Sequence, residues 1–166
     1  MDFLSVFVQI HTKHKKIPNL SFFIFVKKII MYPAEIVQPM REELTTLGFE
    51  ELGTVAAVDE ALSKPGTALV VVNSVCGCAA ANARPGVRLA LAHNSTPEHL
   101  FTVFAGVDRE ATDHARTKMI PFPPSSPSIA LFKDGELVHM IERHHIEGRP
   151  AEMIAENLKA AFSEHC

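Results

Sequence analysis

No apolar run in this 166-residue chain approaches the length of a membrane span. The strongest, residues 22–26 and 69–72, fall far short of the roughly 20 residues such a helix needs. Cysteine is scarce. Three in the whole chain do not make a secreted disulfide scaffold and suit a reducing cytoplasm, where thiols stay available for chemistry. Positive charge is not in excess either: 16 Lys and Arg against 19 Asp and Glu leave a net charge of −3. A protein-wide basic surface for gripping nucleic acid is therefore not expected. Internal repeats, low-complexity tracts and the C-x-x-C or H-x-x-x-H spacings of common metal sites are missing as well. What is present is a composition 47% hydrophobic and 21% charged, that of one folded domain able to bury its core without disulfide or metal staples.

The first thirty residues differ from the rest. They carry five lysines against the single acid Asp2, a charge of +4, which leaves −7 for residues 31–166. They also hold Phe3, Phe7, Phe22, Phe23 and Phe25. The apolar stretch precedes the basic cluster and no small-residue cleavage site follows a long apolar region, which is the wrong order for a secretory signal. Two readings stand: a weak amphipathic anchor at a membrane surface, or upstream sequence read in frame ahead of a start at Met31. In either case residues 1–30 are expected to be poorly ordered or loosely packed, and residues 31–166 to form the domain.

From Met31 onward the pattern alternates. Tyr32-Pro33 opens a helix in which Ile36, Val37, Met40, Leu44 and Leu47 recur at helical spacing, with Gly48 as C-cap and Pro39 expected to kink or split it. Residues 58–62 read as a short helix, and 68–73 as a β-branched strand buried on both faces. A turn over 74–78 leads into a helix over 77–92, with a kink or break expected at Pro85-Gly86. A strand over 100–104 and a helix over 109–119, N-capped by Asp108, follow. The prolines at 121, 123, 124 and 127 crowd one loop before a strand over 128–132. Asp134-Gly135 signals a hairpin turn, 136–141 returns as a strand, and Ile154, Leu158, Ala161 and Phe162 mark the buried stripe of a final helix. Parallel crossovers followed by a hairpin and a closing helix describe a three-layer α/β/α sandwich, with an extra N-terminal helical segment.

The chemistry concentrates on Cys76-Gly77-Cys78, placed where a buried strand ends and a helix begins. The first N–H groups of a helix are unpaired, so a thiolate there gains charge-assisted hydrogen bonds and a favourable dipole, and its pKa falls. Cys76 is expected to feel this most. Cys78, slightly inside the helix, can turn back toward it, and Gly77 removes side-chain bulk as the sulfurs approach. A disulfide across one intervening residue closes a small ring that is expected to depart from relaxed geometry and to reduce readily. Such a pair suits a nucleophile that attacks a mixed disulfide beside a neighbour able to release the adduct. Two other readings remain: buried structural thiols, or a non-catalytic soft-metal-binding or redox-sensing module in which Cys76 and Cys78 chelate copper or zinc.

Pro127, behind Ser125-Ser126 and immediately before a strand, is a candidate cis proline. In the thioredoxin fold a cis proline at this place lies beside the active cysteines, and by analogy Ser126 would pair with an extended substrate. The stretches MYPAEIVQPMREEL, VVNSVCGCAAANARPG and PPSSPSIALFKDGELVHMIERHHIEGRPAEMI together resemble the bacilliredoxins, a thioredoxin-like family with a Cys-Gly-Cys site, from Met31 to the C-terminus; residues 1–30 lie outside the pattern. The resemblance implies a thioredoxin-like fold and a cytoplasmic thiol–disulfide oxidoreductase. That enzyme removes bacillithiol, or a similar small thiol, from mixed disulfides on oxidised proteins, with some disulfide isomerase activity. Carried over by position, Cys76 would attack and Cys78 resolve, with Gly77, Ser126 and Pro127 contacting substrate. The implied partners are S-thiolated proteins and the small thiol, with no nucleic acid, membrane, metal or organic cofactor.

Other residues stand out less. His144-His145 is expected on a partly solvated edge compensated by Glu142, Arg143 and Glu147, with metal binding the weaker reading. Cys166 is expected to be an exposed, passive terminal thiol. Asn73 and Arg84 flank the active turn; Asn73 is placed to hydrogen-bond the loop, and Arg84 is too far along the helix to lower the Cys76 pKa strongly.

Overall fold

The computed structural model describes residues 32–166; both readings of residues 1–30 lie outside the described residues. Behind Pro33, helix α1 (Ala34–Thr45) buries Val37 and Leu44 and passes through Pro39 as one helix. Pro39 therefore does not split the helix: proline forfeits a single backbone bond, and anchorage on both sides holds the element together. Ile36, expected in the buried stripe, is exposed. Gly48 ends the segment at φ 94°, a conformation glycine adopts without steric cost.

Strand β1 (Glu50–Glu51) follows, then α2 (Val55–Leu62), whose N-cap Thr54 accepts the Ala57 N–H at 3.1 Å. Strand β2 (Thr67–Asn73) is buried at every residue, as a strand covered on both faces requires. Helical backbone starts at Gly77, widens into a π-helical stretch (Ala79–Ala83) closed by the Arg84 N–H on the Ala79 carbonyl, and continues as α3 (Arg84–Ala90). The break expected at Pro85-Gly86 is absent. In a regular helix Pro85 would strike the carbonyl four residues back; the wider turn just ahead of it absorbs that conflict.

The remaining elements are β3 (His99–Phe104), α4 (Arg109–Thr117), β4 (Ser128–Lys133), β5 (Glu136–Ile141), a short α5 (Arg143–Ile146) and α6 (Ala151–His165). Asp108 occupies the N-cap position of α4 but makes no side-chain cap bond. Its carboxylate instead accepts from Arg41 Nη2 at 2.9 and 3.0 Å, a charge-assisted contact, and from the Phe104 N–H at 3.3 Å. The β4–β5 turn takes positive φ at Asp134 (50°) and Gly135 (83°), as its sequence predicts.

The five strands lie in the order β1-β3-β2-β4-β5. Central β2 runs parallel to β3, with Val70 opposite Phe101, and antiparallel to β4, with Val70 opposite Ala130. Side-chain alternation divides the interior in two. Leu69 and Val71 pack with Leu44, Val87, Ile154, Leu158 and Phe162 from α1, α3 and α6. Ala68, Val70 and Val72 pack with Val58, Ala61, Ala111 and Ala115 from α2 and α4. The α/β/α sandwich expected from the element order is the architecture observed. None of the helices among the described residues is long and apolar enough to cross a membrane.

Helices α3 and α6 pack closely at Gly86, where a Cβ would sit 2.8 Å from Ile154 Cγ2, 2.9 Å from its Cβ and 3.1 Å from the Ala151 carbonyl oxygen. Gly86→Ala gains about 1 kcal/mol of helix propensity, but overpacking against backbone and a β-branched stem costs about 1–3 kcal/mol. The variant is expected to be destabilised, read as a lower urea midpoint at unchanged slope; a midpoint equal to or above the parent's contradicts this packing.

Candidate active site

β2 carries the chain through the buried centre of the sheet and releases it at Asn73, which is 1% exposed. A cluster of polar groups shapes the segment that follows. The Asn73 Oδ1 accepts the Ser74 N–H at 2.9 Å, and its Nδ2 donates to the Met40 carbonyl at 3.1 Å. Arg84, only 2% exposed, donates Nη1 to Asn73 Oδ1 at 3.1 Å and to the Ser74 carbonyl at 3.3 Å. Its Nε and Nη2 grip Glu43 at 2.8 and 3.1 Å. A buried guanidinium is tolerated only when its donors are met, and here four contacts on three residues meet them. Asn73 bonds the loop as its position predicts. Arg84 acts by holding the strand end and the turn, a role that distance along the helix conceals.

Cys76 stands at the first helical turn. Its carbonyl accepts the Ala79 and Ala80 N–H groups at 3.1 and 3.3 Å. Its Sγ accepts the Ala79 N–H at 3.3 Å and the Ser74 hydroxyl at 3.2 Å. Cys76 is thus half-buried, and its sulfur is supplied with a backbone and a side-chain donor. Cys78 is also half-buried and is joined to Cys76 by a disulfide with Cα atoms 5.4 Å apart. Gly77 between them is exposed, has no left-handed φ, and would leave an added Cβ with nothing within 4 Å. Among the described residues no steric contact demands the missing side chain.

The Ser126-Pro127 bond is cis, as expected. Ser126 and Cys76 line one cleft of about 320 Å³ together with Tyr32, Ser74, Arg116 and Arg143. The sequence did not single out Arg116, and it marked Arg143 only as a charge beside the paired histidines. Arg116 Nη2 donates to the Ser125 carbonyl at 3.3 Å and Nη1 to Asp113 at 3.1 Å. Arg143 Nη1 donates to the Ser126 carbonyl at 3.3 Å, so the acceptor that Ser126 was expected to offer an extended substrate is already shared. Arg143 also pairs with Glu147 at 3.1 and 3.2 Å. That hydrogen-bonded pairing raises the Arg143 pKa and holds the Glu147 carboxyl below its ordinary range.

Among the described residues, Glu142, His144 and His145 form a group whose ligand-type atoms lie within 4.8 Å of one another; the two site cysteines are not part of it. Glu142 and His145 form a reciprocal capping box at the start of α5, a structural use for one of the paired histidines. Cys166 is a free, exposed thiol.

Comparison with known proteins gives a consistent result. A family model described as disulphide isomerase matches residues 32–166. A bacilliredoxin of Cytophaga hutchinsonii is 60% identical over 134 residues, covering 81% of this chain and 99% of the relative. A bacilliredoxin of Shouchella clausii is 53% identical over 136 residues, 81% of this chain and 94% of the relative. A solved structure with a thioredoxin fold superposes with a TM-score of 0.51 at 15% identity, covering 64% of this chain and 89% of that one, and supports the fold alone.

Arg84→Met leaves Asn73, Ser74 and Glu43 without their shared donor. Because Glu43 is 40% exposed and can rehydrate, the expected loss is about 2–3 kcal/mol, below that for a fully buried broken pair. Urea denaturation of the reduced protein measures it, and a loss under about 0.5 kcal/mol, typical of an inert surface site, contradicts the role given to Arg84.

Proposed function

The chain belongs to the bacilliredoxin family and is a thiol–disulfide oxidoreductase, and from this we propose that it removes bacillithiol, or a closely similar small thiol, from mixed disulfides on cytoplasmic proteins. The observation that carries the reading is the Cys76 sulfur: it opens on a cleft, accepts the Ala79 amide and the Ser74 hydroxyl, and pairs with Cys78.

In the reduced protein the Cys76 thiolate attacks the sulfur of the small thiol in the mixed disulfide. One S–S bond forms between Cys76 and the small thiol as the original S–S bond breaks. The repaired protein leaves as a thiolate and takes a proton from solvent. The Cys78 thiolate then attacks the Cys76 sulfur and expels the small thiol as its thiolate, or a second small thiol attacks the adduct's outer sulfur, forming the small-thiol disulfide and expelling Cys76 as its thiolate. When Cys78 does so, the Cys76–Cys78 disulfide closes, two electrons have passed from the dithiol to the substrate, and a thiol reductant restores the pair. Ser126 lines the cleft with Cys76 and is the nearest substrate contact in this reading; Gly77, exposed between the cysteines, and Pro127, buried behind Ser126, are carried over by position alone. The same exchange run on a substrate disulfide supplies isomerase activity. Metal and organic cofactors have no step to perform.

The alternative, a metal-holding or sensing pair, differs in a measurable way. Cys78→Ser, mixed with a model protein capped by bacillithiol, is expected to accumulate the small-thiol adduct on Cys76 by mass spectrometry. The thiolate absorbance of Cys76 in the reduced protein is expected to titrate well below the ordinary cysteine value of about 8.5. If Cys76→Ser instead accumulates the adduct on Cys78 and retains activity, the two roles are reversed. Stoichiometric bound metal with no low-pKa thiol overturns the enzyme reading.

A further inference from the structure

We propose that Arg116 and Arg143 form a carboxylate-binding subsite for the small thiol, and that this subsite decides which sulfur of the mixed disulfide Cys76 attacks. The inference rests on the mixed-disulfide reading above and specifies its substrate class: a thiol carrying one or more carboxylates.

Both arginines line the cleft that Cys76 opens on, and no other charged residue does. This positive spot belongs to a domain whose net charge over residues 31–166 is −7, so it stands against the overall sign of the molecule. Each guanidinium is fixed in place by a loop carbonyl, Ser125 for Arg116 and Ser126 for Arg143. Rigid placement lowers the cost of binding a planar anion. Arg143 gives its Nε and Nη2 to Glu147 and Arg116 its Nη1 to Asp113, but these exposed pairs are exchangeable. Asp113 and Glu147 are 68% and 59% exposed, and at that exposure screening keeps the pairs weak. Arg116 Nη1 and Nη2 each give one hydrogen, to Asp113 and to the Ser125 carbonyl, and since each Nη carries two, both keep a donor for a carboxylate in the cleft. Planar, forked guanidinium donors match carboxylate geometry.

The chemical consequence concerns regiochemistry. A mixed disulfide has two sulfurs, and attack on the protein's sulfur would leave the enzyme covalently tied to its substrate while freeing the small thiol. Seating the small thiol's carboxylate on the two arginines puts its own sulfur beside Cys76. The new bond then forms to that sulfur, the old S–S bond breaks, and the electron pair departs with the repaired protein.

The test uses the full chain carrying Cys78→Ser, so that the first adduct persists. A single-cysteine model protein is capped with mercaptosuccinate (two carboxylates), 2-mercaptoethanol (neutral) or cysteamine (cationic). Mass spectrometry after a single turnover gives the ratio of small-thiol adduct to protein adduct on Cys76. With the mercaptosuccinate cap, Arg116→Met and Arg143→Met are each expected to lower that ratio by about fivefold to tenfold, the scale of one charge-assisted contact. Arg116→Lys recovers part of it, and the ratio with the neutral cap shifts far less. A purely structural role in holding the loop predicts slower reaction with every cap and no change in the ratio, which overturns the proposal. So does a ratio in the parent that is the same for the dicarboxylate and neutral caps once each is divided by the ratio a neutral monothiol, N-acetylcysteamine, gives. Absence of any adduct on Cys76 with all three caps is a different failure: it removes the mixed-disulfide reading itself.

Discussion

A half-buried sulfur at the end of the central strand and the start of a helix is the constraint around which the rest is arranged. To hold Cys76 there, β2 must cross the sheet fully buried, stop at Asn73, and hand over to helical backbone by Gly77. The helix then has to bring Cys78 back within bonding reach and still pack against α6. The π-helical stretch that follows Cys78 meets the second demand, joining the cysteine turn to α3 and letting the rod pass Pro85 without breaking.

Beneath the turn lies an unusual support. The interior has few polar groups, yet Arg84 is buried in it, wired to Asn73, Ser74 and Glu43. A buried ion pair is seldom a net gain in stability over apolar packing. Its merit here is directional: apolar side chains could fill the same space but could not specify where the Ser74 carbonyl and the Asn73 amide point. The backbone ahead of Cys76 is set by hydrogen-bond geometry, and the orientation of the sulfur follows from it.

Much of this could be read in the chain beforehand, and the failures share a cause. β2, β4, β5, the Asp134-Gly135 turn and α6 announce themselves locally, through β-branched runs, turn residues and helical spacing. The Cys-Gly-Cys motif and the cis bond at Pro127 are legible for the same reason, and the quoted motifs carry the family. β1 left no trace because two exposed glutamates owe their strand geometry to backbone pairing with Phe101 and Thr102. Asp108 looked like a helix cap because nothing nearby in sequence reveals that Arg41, 67 residues away, claims its carboxylate. The arginines at 84, 116 and 143 were missed or underrated on similar grounds. An arginine in a sequence reads as solvated surface, and only the tertiary fold shows which ones are buried, which brace a loop, and which face a sulfur.

Gly77 has a consequence of its own. Because an added Cβ at Gly77 would meet nothing within 4 Å among the described residues, the position between the two cysteines is sterically open, and a small side chain could replace the hydrogen there while leaving the scaffold beneath it untouched.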